Sequence, residues 1–310
     1  IVSAFGSDTV DDGENMTNLI YAGDLEGHFF GFRDNNDPSD RKALDGNWQP
    51  SHLFTAESTG KKIFGEADFV PEYIDYWDTT EGTWKTVVGD YVFFGTGDRA
   101  HPLGTSNTNY FYCIKNDWHT EDITVSKTVS DFSTLNNPAT TDEDSAPVLL
   151  DITDNKIQEG TDAEKQEMKE KLNKKYNRGW YFELEGDGEK CLSTPVVYAG
   201  VVYFTTFTPN DDASGMSEDP CENPSGGGTA KLYAIDYSTG GAVYDDFDGD
   251  TTDTLGKDDR AMTLDQTNIT IAPDPLMIIS HKGEKLSIGP QTEDVKSPRR
   301  GINIFYWLED

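Results

Sequence analysis

The chain has 310 residues, with 25 Lys and Arg against 57 Asp and Glu, for a formal net charge of −32. A surface this acidic repels nucleic acid and anionic membranes, which argues against any polyanion-binding role. Apolar residues make up only 35% of the chain, but 12% are aromatic and cluster in short runs, which suffices for a core and argues against wholesale disorder. Asp outnumbers Glu by 37 to 20, a bias toward turns and caps rather than helices. No run of about 18 apolar residues occurs, so no segment reads as a membrane-spanning helix. Ile1 to Gly6 lacks a Met and a basic-then-apolar leader, and we read the chain as a piece of a longer protein. Cys113, Cys191 and Cys221 have no CxxC spacing, which excludes zinc and iron–sulfur sites of that kind.

Short apolar runs alternate with Gly, Asp, Asn and Thr clusters almost throughout, the pattern of an all-β chain. Leu19–Ala22 and His28–Arg33 flank a Gly-bracketed turn at 23–27 and read as a hairpin. Trp84–Val88 and Tyr91–Gly95 flank Gly89-Asp90 as a second hairpin. Asn109–Lys115 is the next strand, and Thr161–Lys175, dense in Ala, Glu, Lys, Gln and Met, is the one clear helix, inserted at the surface. Gly179–Leu184 follows as a strand. Leu192–Tyr198 and Val201–Thr208 then flank Ala199-Gly200 as the cleanest hairpin of the set. Lys231–Tyr237, Pro275–Ser280 and Gly301–Leu308 complete the predicted strands.

A repeat runs through these elements. Tyr91–Thr96 is followed after a polar loop by Tyr110–Lys115, Val202–Thr206 by Leu232–Asp236, and Leu19–Gly23 by Phe29–Arg33. Three or four such units, each a small sheet with a buried inner strand, resemble propeller blades in sequence. Propellers seldom close with so few blades. A β-sandwich with long loops is the alternative that these patterns leave open.

The stretch Leu232-Tyr233-Ala234-Ile235-Asp236-Tyr237-Ser238-Thr239-Gly240 resembles the L-Y-A-x-D-x-x-T-G repeat of quinoprotein-like propellers. Ile20–Gly27, Phe94–Arg99, Gly179–Leu184, Ser193–Val197 and Val202–Asn210 occur with it in an order that resembles the C-terminal half of PilY-type pilus biogenesis proteins, from about Leu19 to the end. The resemblance implies a modified β-propeller over 1–310 with further blades upstream, made of antiparallel strands. It further implies secretion to the cell surface or pilus tip, a bound calcium, and roles in type IV pilus extension, retraction and adhesion. The partners implied are pilins or minor pilins and a host or abiotic surface.

The family's calcium loop is an Asp ladder just before the Tyr-x-Gly-Asp strand, and alternating Asp on a tight loop can converge on one hard cation. Asp8, Asp11, Asp12, Gly13, Glu14 and Asn15 lie at that place, with a spacing that departs from the ladder. The run from Asp245 to Asp253 alternates better, with Asp246, Asp248 and Asp250 two apart and Asp253 beyond, although Lys257 stands where a closing Glu would fall. The metal candidates are therefore Asp246, Asp248, Asp250 and Asp253, and after them Asp8 and Asp12. The Ala199-Gly200 hairpin puts Cys191 opposite about Thr208, from where Cys221 is within reach. A disulfide closing that loop would stabilise the fold by roughly 3 kcal/mol. Cys113, between Tyr112 and Ile114, reads as a small buried apolar residue. His28, His52, His101, His119 and His281 form no recognisable motif, and neither a GxSxG elbow nor a Walker loop is present. Gly226–Gly228 reads as a flexible link. The expected function is binding rather than catalysis. A secreted quinoprotein-like enzyme, or a structural surface protein, is the alternative.

Overall fold

A computed structural model of the chain describes residues 2–9, 15–34, 48–56, 61–78, 81–117, 148–175, 177–209, 228–247, 249, 254–264, 271, 273–280, 283–289 and 291–295. The long apolar runs become strands buried on both faces. In β6 (Thr83–Gly95), Val92 and Phe94 join one core cluster while Phe93, between them, joins another. The same alternation holds in β7 (Tyr110–Asn116), where Tyr112 and Ile114 face one way and Phe111 and Cys113 the other. In β12 (Val201–Pro209), Val202 and Phe204 oppose Val201 and Tyr203. A strand whose neighbours point to opposite faces can have a continuous apolar sequence only if both faces are covered. The chain meets that condition by stacking four sheets in a row.

The first sheet is the meander β1 (Val2–Thr9), β2 (Asn15–Gly23), β3 (His28–Asp34) and β4 (Trp48–Thr55). The second orders β5 (Asp68–Asp78), β6, β7, β9 (Asn177–Glu183) and β8 (Val148–Asp151). In the third, β10 (Lys190–Cys191) and β11 (Val196–Tyr198) both pair with β12, which continues into β13 (Gly228–Asp236) and β14 (Ala261–Thr263). The fourth holds β15 (Leu276–Ser280), β16 (Gly283–Ile288) and β17 (Gln291–Asp294). One core cluster joins each successive pair of sheets, and among the described residues none joins the first to the fourth. Stacked rings lock the interfaces. Phe29 lies on Phe94 at 4.1 Å between the first and second sheets, and Phe111 on Phe204 at 3.8 Å between the second and third. Each repeated strand pair of the sequence, β2–β3, β6–β7 and β12–β13, is the middle of one blade-like sheet. A two-sheet sandwich would bury one face per sheet, so the stack sets that alternative aside.

Several expectations are corrected. Gly89-Asp90 is not a turn: β6 runs through it for 13 residues and pairs along its length with β5, which is not among the predicted strands. Gly89 is needed because a Cβ there would collide with the Asn116 carbonyl and the Ile74 side chain. Asp90 is buried because it accepts from the Tyr21 hydroxyl at 2.7 Å, and that oxygen accepts in turn from Asn116 Nδ2 at 3.1 Å. The strand from Leu192 to Tyr198 is split at 192–195, where Pro195 has no N–H to donate. Ser193 Oγ fills the gap, accepting from Thr205 N at 2.8 Å and donating to Thr205 O at 3.0 Å. The Ala199-Gly200 turn forms as expected, with both residues at positive φ (51° and 87°), as a two-residue hairpin turn demands. The blades are not purely antiparallel. β8 runs parallel to β9 across a crossover of two helices, α1 (Lys156–Glu159) and α2 (Asp162–Leu172). A Thr161/Glu164 capping box starts α2, and Met168 and Leu172 tie it to the core. Gly301–Leu308 lies outside the described residues.

Candidate functional site

The family-like motifs turn out to be turn braces. Asp236 Oδ1, at the end of the L-Y-A-I-D stretch, accepts from Ser238 N and Oγ and from Thr239 N and Oγ1 at 2.6–3.0 Å. Gly240 then takes φ 65°, where any Cβ would strike Ile152 and the Trp180 ring. Asp24 Oδ1 likewise accepts from Glu26 N and His28 N, both at 2.8 Å. Asp98 accepts from Ala100 N at 3.0 Å and from Lys62 Nζ at 2.7 Å, and lies 3.0 Å from His101 Nδ1. Partial burial opposes ionisation of Asp98, but Lys62, His101 and that N–H outweigh it and hold the carboxyl down to about 2. These carboxylates are committed to folding the strand exits.

The Asp run leads to a cavity. Asp246 is exposed on a turn closed by Gly249 N donating to Asp246 O at 3.2 Å, and Phe247 stacks on Tyr244 at 4.6 Å. Asp246, Phe247 and Gly249 form one wall of a cavity of about 520 Å³. Its floor is β9 and β13, through Phe182, Glu183, Lys231 and Tyr233, and its far wall is Lys257 to Thr263. Beneath it, Glu189 is fully buried. It accepts from Thr206 Oγ1 at 2.6 Å, Gly186 N at 2.7 Å, Tyr233 OH at 3.0 Å and Lys231 Nζ at 3.3 Å. Lys257 pairs with Glu185 at 2.9 Å. Arg260, 2% exposed, donates to the Ile152 and Thr153 carbonyls at 2.8 and 3.3 Å and lies 4.9 Å over the Phe182 ring. Desolvation pulls its guanidinium down to about 10, against the opposing pull of Tyr233 and Glu185.

The proposed metal residues are placed as follows. Asp246 borders the cavity, while Asp248, Asp250 and Asp253 lie outside the described residues, as does Asp12. Asp8 sits in β1 opposite Met16. Among the described residues no group of three His, Cys, Asp or Glu is gathered for a metal, so a calcium site here would need Asp248, Asp250 and Asp253 beside Asp246. The disulfide is corrected. Cys191 is a free thiol, 1% exposed, opposite Thr206 rather than Thr208, and donates to the Ser193 carbonyl at 3.7 Å; Cys221 lies outside the described residues. Its sulfur turns inward against the space left by Gly95, into the core between the second and third sheets. Cys113 is buried and free, as its neighbours implied. The cavity itself was missed by sequence reasoning, as was the approach of His28 to His52, whose rings lie 5.5 Å apart across β3 and β4. The cavity left no compact signal in the sequence, since Lys231 stands 26 residues before Lys257, with Arg260 further on.

Stacked, mostly antiparallel sheets with doubly buried inner strands define a propeller-like all-β fold. More particularly, the fold is that of the C-terminal domain of Pseudomonas aeruginosa PilY1, whose crystal structure matches at a TM-score of 0.56 with 14% identity over 96% of this chain. The chain spans 60% of the length of that domain's chain. No family profile and no curated protein matches the sequence. Among the described residues no helix is long and apolar enough to cross a membrane.

Proposed function

We propose that this chain is a component of type IV pilus machinery that acts by binding, as a surface-exposed propeller, and not by catalysis. The observation that carries the reading is the shared fold with the PilY1 C-terminal domain over 96% of the chain, together with the order of the family-like motifs. The high acidity supports an exposed, soluble surface. Pilins or minor pilins and an attachment surface are the expected partners, at the cell surface or pilus tip. Deleting the whole protein from its native cell should reduce piliation and surface attachment, and unchanged piliation and attachment would remove the reading.

The acidic run is proposed to take calcium through Asp246, Asp248, Asp250 and Asp253. Support comes from the alternation of carboxylates and from the Asp246–Gly249 turn, which presents hard oxygens at the cavity rim. A bound calcium would neutralise clustered like charge there and order the rim. A ligand selective for the folded state raises the melting temperature by mass action. Thermal melts in millimolar calcium and in chelator should therefore differ for the natural chain and coincide for Asp248→Ala/Asp250→Ala. Equal melts for the natural chain remove the metal from the proposal.

A further inference from the structure

The fourth sheet ends in an apolar edge. Among the described residues its order is β15-β16-β17, so β15 is paired on one side only, while the other three sheets hold four or five strands. β15 is apolar where an edge strand is normally charged. Leu276, Ile278 and Ile279 are 62%, 42% and 53% exposed, three of the seven large apolar side chains exposed among the described residues. Met277 packs into the core between the third and fourth sheets, so Ile279 shares its side of the strand and Leu276 and Ile278 take the other. Opposite Leu276 and Ile278 on β16 stand Ser287 and Lys285. The apolar stripe therefore stops at β16 and belongs to the free edge, not to the sheet face. A long apolar edge is a template for another strand, and soluble proteins blunt it or cover it.

The chain carries a segment suited to that edge. The predicted strand at 301–308, outside the described residues, has six apolar residues: Ile302, Ile304, Phe305, Tyr306, Trp307 and Leu308. β15 and β17 both run antiparallel to β16, so the chain leaves β17 at the end of the sheet where β15 also ends, at Ser280. From there the free side of β15 is three strand spacings away, about 14 Å. The chain from Val295 to Gly301 can reach about 20 Å. Pairing with β17 instead would set the apolar run against Gln291, Thr292, Glu293 and Asp294. We propose that residues 301–308 dock on β15 as an antiparallel strand and cover its free edge. The fourth sheet then has a Greek-key order, in which a fourth strand returns beside the first. Running back from Ser280 toward Leu276, the segment sets aliphatic and aromatic side chains beside Ile279, Ile278 and Leu276, as stabilising cross-strand pairs. Its far end meets the half-buried β11, which Thr194 N, donating to Asp274 Oδ1 at 2.9 Å, holds beside the start of β15. This docking does not rest on the pilus reading.

The test is hydrogen exchange, read by mass spectrometry on peptides covering β15 and β17, for the full chain and for a chain ending at Arg300. Along an antiparallel strand roughly every second N–H points to a given side. Truncation should therefore free about half of the β15 amides and leave β17 unchanged. Ile304→Pro/Phe305→Pro in the full chain is the second variant. One of two consecutive residues directs its N–H at β15, and proline has none to donate. The same β15 amides should be freed. Exchange of β15 unaltered in both variants overturns the proposal, as does faster exchange in β17 in place of β15. Loss of protection throughout the chain in both variants also overturns it, since an edge cover is not needed for the rest of the fold. Protection of β15 in the full chain that falls on dilution assigns the edge to a second copy and overturns it as well.

Discussion

Replacing Phe204 by Ala tests whether the sheets really stack as blades. Phe204 is fully buried, lies 3.8 Å from Phe111 of the neighbouring sheet with planes 4° apart, and 4.7 Å from Tyr233 across its own sheet. Truncation removes the buried ring and leaves a cavity between two sheets, a loss of about 3–5 kcal/mol. The aromatic stacking adds about 0.5–1.5 kcal/mol on the two sides together. Phe111→Ala opens the same cavity from the other sheet. Once one ring is gone the other has lost its main partner, so the double variant should cost less than the sum of the two. The expected coupling is about 1–2 kcal/mol, within the range for contacting residues. Chemical denaturation of the natural chain, both single variants and the double variant measures it, with Tyr73→Ala, at a site 72% exposed, as a near-neutral control. Additive losses for Phe204 and Phe111, or a Phe204→Ala loss no larger than that of Tyr73→Ala, would refute face-to-face packing of the second and third sheets.

Other consequences follow from the same geometry. Asp236→Ala strips one acceptor from four donors at the exit of β13 and should lower stability by about 1–3 kcal/mol, measured by denaturant midpoint, with Asp236→Asn less damaging. The Asp98 carboxyl is held down to about 2 in the folded state, so its contribution is complete above the unfolded carboxylate range near pH 4 and is lost as pH falls toward 2. Acid unfolding of Lys62→Met should accordingly show a smaller loss of stability between pH 4 and 2 than the natural chain. Burial pushes the Cys191 thiol up to about 12 and raises that of Cys113 as well, so neither should react with a thiol reagent at pH 8 until the chain is unfolded. Labelling followed by peptide mapping checks both, and native-state labelling of Cys191 would refute its inward placement.

The inner strands were legible because stacking makes them read as unbroken apolar runs. Tyr91-Val92-Phe93-Phe94, Val201–Phe207 and Leu232–Ile235 lose both faces to core, and such runs have no other soluble fate. The outer strands were not legible for the opposite reason. β5 carries Asp68, Pro71, Glu72 and Asp75 and reads as loop, yet β6 extends its full length and gives those backbone groups partners. Gly89 misled because a turn and a close backbone approach demand the same residue, and only the nearness of Asn116 distinguishes them. The cavity was hidden for a further reason. Lys231, Asp246 and Arg260 come from three separate segments, and no periodicity marks residues that meet only through the pairing of β13 with β14.

The acid excess of this chain has two origins that the structure separates. Asp24, Asp98 and Asp236 each close a turn at the exit of an inner strand, accepting backbone N–H groups that would otherwise stay unmet. Part of the preference for Asp over Glu is therefore turn chemistry, since the shorter side chain reaches the N–H two residues on. Counting carboxylates consequently overstates the number of metal sites, and the L-Y-A-x-D-x-x-T-G pattern marks blade ends rather than a ligand. What sets the run at 246–253 apart is the succession of Asp246, Asp248 and Asp250 two apart with Asp253 beyond, whereas each turn brace is a single Asp. Loss of the calcium response on substitution within that run, and its retention in Asp24→Ala, Asp98→Ala and Asp236→Ala, is what this division of labour requires.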